Sequence, residues 1–271
     1  MTAIRTGVVV ALMALCTPFI TFAKDTMSSG MEQTIQGAGY LSFLGFVIAT
    51  ILMGLVIKRF GASTLTSIFQ YLFFGTALFV AISAFLALGA EFFGIADPSL
   101  DIWWHLLFYM AFMFYVVGLR MLVGLGSADA DPNVPVNPQS AKMWGIAAFV
   151  GVVFIFVAPH TLEPVIGIYT SSIFDAIGLH HFLAFALAGA VAWYLISAKQ
   201  RLGQIGRAIA DPIIIAVTAL SLQHLWELLN ESWKVIDVVP AIGEGVEKIF
   251  LVVAGGALIF GAWRLLSFAR A

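Results

Sequence analysis

Residues 212–233 read PIIIAVTALSLQHLWELLNESW. The stretch opens as an apolar run of the length a bilayer demands, since a hydrocarbon core of ~30 Å takes about 20 residues of helix. Its second half then admits His224, Glu227 and Glu231. An ionisable side chain inside a span costs about 2.5–3.5 kcal/mol on insertion scales, so such groups face the interior of a bundle and have a partner there. The stretch therefore predicts a membrane helix with one wall of a polar site built into it.

Working outward, runs of the same kind recur at 39–57, 66–90, 102–124, 143–159, 179–197 and 246–266. With 212–233 they make seven spans, and the expectation is an all-α, polytopic helix bundle occupying 39–271. Composition agrees. Of the 271 residues 61% are hydrophobic and 10% are charged, where a soluble domain carries about 25% charged. The breaks KRFGAS, GIADPSLD and GSADADPNVPVNPQS supply the turn residues between spans. Asp211 before Pro212 suits a helix start, with Asp as the cap and Pro in the first turn, where its missing N–H is no loss. No soluble domain is expected, because the loops between spans are short.

The first 23 residues, MTAIRTGVVVALMALCTPFITFA, combine Arg5, an apolar stretch and small residues before KDTMSSG. They read as a signal peptide cleaved after Ala23, with 24–38 a short external segment. The competing reading is an uncleaved eighth helix. Cys16 is the single cysteine, so a cleaved chain has no disulfide, thiolate ligand or cysteine nucleophile.

Orientation follows from the basic residues. With the mature N-terminus outside, Lys58, Arg59, Arg120, Lys142, Lys199, Arg201, Arg207, Arg264 and Arg270 fall inside, against Lys24, Lys234 and Lys248 outside. That excess predicts a bacterial-type inner membrane protein with a cytoplasmic C-terminus. Twelve of the fifteen acids, among them Asp101, Glu163, Glu227 and Glu231, fall on or toward the outer side. An acidic outer rim attracts cations and cationic proteins; the plainer reading is that acids fill outer loops from which Lys and Arg are kept out.

All five histidines lie on that same side: His105, His160, His180, His181 and His224. Imidazole ligates metals and haem and carries protons near neutral pH. Helical spacing pairs them with acids, Asp101 with His105 at four residues and His224 with Glu227 and Glu231 at three and seven. With ~1.5 Å of rise per residue, His224 comes out roughly 12 Å below the outer boundary, Glu227 about 8 Å, His105 about 6 Å and Glu231 about 2 Å. This predicts two tiers: a buried centre from His105, Glu227 and His224, beneath a rim of His160, Asp101, Glu231 and one of His180 and His181. Those two are about 100° apart around the helix, so one points inward, and His181 is favoured.

The candidate metal ligands are thus His105, His160, His181, Glu227, Glu231 and Asp101. His105 and His224 are the candidate axial pair if the cofactor is haem b rather than copper, iron or zinc. Three functions compete: a redox or electron-transfer protein built on such a centre, a cation or proton transporter with an acidic outer entrance, and an accessory subunit of a larger membrane complex. Expected partners are the lipid bilayer, other membrane subunits and a cationic periplasmic protein; no nucleic-acid partner is expected. Gly255 with Gly256 and Ala188 with Ala192 read as helix-packing contacts. No phosphate loop, dinucleotide fingerprint, HExxH helix or nucleophile elbow occurs.

Overall fold

A helix that must satisfy its backbone without water has only its own carbonyls to turn to, and the apolar runs accordingly form long helices. A computed structural model describes residues 29–61, 63–93, 99–130, 178–236, 238 and 240–268. In chain order the helices are α1 (Ser29–Phe60), α2 (Thr64–Phe93), α3 (Ser99–Ala130), α4 (Leu179–Ala198), α5 (Gln204–Glu227) and α6 (Pro240–Phe268). Each is long and apolar enough to cross a membrane, and among the described residues there is no strand. The leader at 1–23, the span at 143–159 and His160 lie outside the described residues. Residues 29–38, expected as external chain, form the first turns of α1.

The helices pack in chain order, and α6 closes back onto α1. Small residues make that closure: a Cβ built on Gly45 would sit 3.7 Å from the Gly255 Cα, so the two backbones meet directly, which is how membrane helices gain van der Waals contact. Gly256 has nothing within 4 Å of such a Cβ, so only the first residue of that pair packs. Ala188 and Ala192 are both buried, as expected. Between α1 and α2, Gly61 takes a left-handed conformation at φ 60 and its N–H reaches the Ile57 carbonyl at 3.2 Å, a glycine helix stop. Arg120, in the C-terminal third of α3, is exposed.

The start of α5 differs from expectation. The helix begins at Gln204 after Gly203, and Pro212 lies inside it. Asp211 does not cap; its carboxylate pairs with Lys199 Nζ at 2.6 Å. The proline ring finds room on a neighbouring helix. Its ring lies against Gly261 of α6, where a Cβ would come within 2.7 Å of the Pro212 Cβ, so the bare glycine is the seat for the ring. Arg207 Nε also donates to the Leu202 carbonyl at 3.0 Å, holding the turn from which α5 departs.

At the other end of α5 the helix widens into a π turn at Leu228–Ser232, closed by Trp233 N–H on the Leu228 carbonyl at 2.8 Å. Such widened turns are frequent at functional sites. The Trp226 indole donates to the Gly243 carbonyl at 3.1 Å and ties this end to α6. The start of α3 is tied to the start of α4 by the Tyr109 hydroxyl, which donates to the His180 carbonyl at 2.5 Å. The N-terminal part of α3, the start of α4 and the C-terminal end of α5 lie at the same end of the bundle.

Candidate metal centre

His224 and Glu227 stand one turn apart on α5, so their side chains share a face, and the Glu227 Oε2 lies 2.6 Å from His224 Nδ1. From α4, His181 brings its Nδ1 to 3.0 Å from the same oxygen. From α3, His105 sets its Nε2 3.3 Å from His181 Nδ1. All four side chains are buried, and one ligand atom from each lies within 4.8 Å of the others. A tetrahedral ion with bonds of ~2.0–2.1 Å holds neighbouring donors about 3.3 Å apart. Of the observed separations, 3.3 Å matches that spacing, 3.0 Å is slightly short of it and 2.6 Å is well short of it, so the donors would shift by several tenths of an ångström to take an ion.

Two atoms at the centre of the arrangement each face two partners. His181 Nδ1 faces both a carboxylate oxygen and a second imidazole nitrogen and has one proton at most to give. Glu227 Oε2 in turn faces two imidazoles at once. Donor atoms gathered this closely in a dry interior are stabilised by a cation among them. This buried His/Glu cluster could hold a metal ion.

Neighbouring side chains set the cluster's orientation. Gln223, one turn before Glu227, donates from its amide to Glu227 Oε1 at 3.0 Å, which leaves Oε2 to face the imidazoles. On the side of the C-terminal part of α3 the Phe108 ring packs against His224 in a T-shaped arrangement, centroids 4.2 Å apart and planes at 87°. Behind it come Phe112 and Phe79, at 4.6 and 5.5 Å from Phe108, all three fully buried. The cluster is thus closed by aromatic rings on that side.

The sequence places most of this site and misplaces its levels. His105, His224 and Glu227 meet as expected, but His181, assigned to the rim, is a full member of the buried group, and His224 is no deeper tier: its ring lies 5.5 Å from that of His105 and 6.0 Å from that of His181. Counting rise along parallel axes locates Cα atoms. Crossing helices and the reach of an imidazole bring side chains from different heights to one point. His180 does not join the four. It is half-buried, with its ring edge-on to His105 at 4.7 Å, and His181 is the one of the pair in the buried cluster. Glu231 is also outside the four; its side chain is 52% exposed, with Oε2 4.0 Å from His181 Nε2. The side chain of Asp101 lies outside the described residues, although its backbone belongs to the first turn of α3. Gln223 went unassigned in the sequence, where its position four residues before Glu227 was the available signal.

The neighbour relations also differ from the simplest guess. His105 reaches His224 although α3 and α5 touch little; α4 packs against α5 and meets α3, and His181 stands at that junction. The chain matches no protein-family model, no curated protein and no solved structure.

Proposed function

We propose that this protein is a multi-pass membrane protein that holds one transition-metal ion, copper, iron or zinc, on His105, His181, His224 and Glu227 near the outer face, for redox or electron-transfer work. The observation that carries the reading is the convergence of three buried imidazoles and one buried carboxylate from three helices. Imidazole suits zinc, copper and iron alike, and copper or iron would serve electron transfer. Burying these groups in a membrane is costly without a partner, and the ion is that partner.

A bare ion suits the site better than haem b. In a bis-histidine haem the plane between the two imidazoles belongs to the porphyrin. Here one ligand atom each of His181 and Glu227 lies within 4.8 Å of those of His105 and His224, which crowds the space a porphyrin needs. Transport is not favoured either, because Phe79, Phe108 and Phe112 close the inner side of the cluster among the described residues.

The topology belongs to the same proposal. α3 and α4 start at the same end, and this supports a further crossing between Ala130 and Gly178. We assign that crossing to the apolar run 143–159, for seven spans in all after a signal peptide, in a bacterial-type inner membrane with the site on the periplasmic side. The acidic outer rim suits a cationic periplasmic partner, beside the lipid bilayer and other membrane subunits.

The test is to purify the full chain in mild detergent, measure bound metals and record visible spectra oxidised and reduced. Expected is a stoichiometric ion that His224→Ala and Glu227→Ala abolish, with no Soret band. A wild-type protein that stays metal-free after incubation with Cu²⁺, Fe²⁺ and Zn²⁺ overturns the reading, and a Soret band overturns the choice of a bare ion.

A further inference from the structure

His181 has two ring nitrogens, and they face opposite ways. Nδ1 points into the buried cluster, 3.0 Å from Glu227 Oε2, whereas Nε2 points toward Glu231, 4.0 Å from its Oε2. The two carboxylates differ sharply in setting, with the Glu227 side chain 4% exposed and the Glu231 side chain 52% exposed. Glu231 also sits in the π turn, where the winding departs from the α-helix that carries Glu227. On the side of His224 the cluster is shut by fully buried phenylalanines.

We propose that Glu231, acting with the outer edge of His181, is the port through which a divalent cation reaches the buried centre. This rests on the metal-centre reading above and adds a direction to it: loading occurs from the outer end. The exposed carboxylate captures a hydrated cation in solvent. It then hands the ion past the His181 ring to the four donors, and the aromatic floor makes the site a dead end. Glu231 is a capture residue and no part of the final ligand set, so it governs how fast the ion arrives and leaves and not where it rests. A focused negative charge raises the arrival of cations by roughly 10-fold or more at low ionic strength.

The experiment mixes metal-stripped full-length protein in detergent with Co²⁺ in a stopped-flow instrument and follows the ligand-field absorption of the bound ion. In Glu231→Gln the expected result is an unchanged final band and stoichiometry, an association rate lower by roughly tenfold at low salt, and a weaker dependence of that rate on salt. Removal by a chelator slows as well. Glu244→Gln, which neutralises another exposed carboxylate at the outer end of α6, should leave the rate unchanged. An unaltered rate in Glu231→Gln overturns the port, as does an equal slowing in Glu244→Gln, which would assign the effect to general charge. A shifted or lost band in Glu231→Gln also overturns it, by making Glu231 a ligand. If wild-type protein develops no Co²⁺ band at all, the metal centre itself fails, a result distinct from any of these.

Discussion

Gln223→Leu isolates what the orientation of one carboxylate contributes to the centre. Gln223 is buried and donates to Glu227 Oε1 at 3.0 Å; Leu keeps most of the volume and removes the donor. A hydrogen bond to a charged group contributes about 1.5–3 kcal/mol, but this one exists before any ion arrives. What its loss takes from metal affinity is therefore the preorganisation of Oε2, and only part of the full value. Outer-shell partners of metal ligands typically account for 10–100-fold in affinity, or about 1.4–2.8 kcal/mol. We expect Gln223→Leu to weaken binding by roughly 10- to 30-fold, the lower part of that range, with stoichiometry retained. Competition with a chelator of known affinity measures it, in detergent, on protein whose circular dichroism matches wild type. With Oε1 released, the carboxylate can also bind through both oxygens, so the coordination number seen by X-ray absorption should rise. Affinity within twofold of wild type, together with an unchanged coordination shell, would refute the view that Gln223 aims Glu227.

Other substitutions probe the surroundings. Phe108→Ala removes the ring that stands 4.2 Å from His224 and should cost about 3–5 kcal/mol of stability by leaving a cavity; thermal unfolding in detergent reads the loss, and faster metal exchange is expected with stoichiometry kept. Gly261→Ala places a methyl within 2.7 Å of the rigid Pro212 ring, and overpacking of this kind should lower stability by about 1–3 kcal/mol. An unchanged melting temperature there would show that α5 and α6 can separate freely. Tyr115→Phe breaks the 2.9 Å contact with Thr76 but leaves Thr76 donating to the Leu72 carbonyl, so its cost should be near 0.6 kcal/mol, an ordinary value for polar pairs between membrane helices, with metal binding untouched.

Periodicity and composition were enough to read the membrane class, six of the helices and the polar face of α5, because those follow from local rules: run length against bilayer thickness, and spacing of three and four around a helix. His224 with Glu227 was legible for that reason, since both lie on one helix. The membership of His181 was not. Whether its ring reaches Glu227 or a lipid headgroup depends on how closely α4 packs on α5, which involves residues far apart in the chain. Pro212 shows the same divide. Its sequence context, after an aspartate, is that of a helix start, and only the bare Gly261 on a neighbouring helix lets the ring sit within α5. The residue types at the centre and the end of the bundle that carries them are thus properties of the chain itself. Which nitrogen faces which oxygen, and that three helices bring their donors to one point, belongs to tertiary packing, because contacts a few ångströms long are decided by how helices cross.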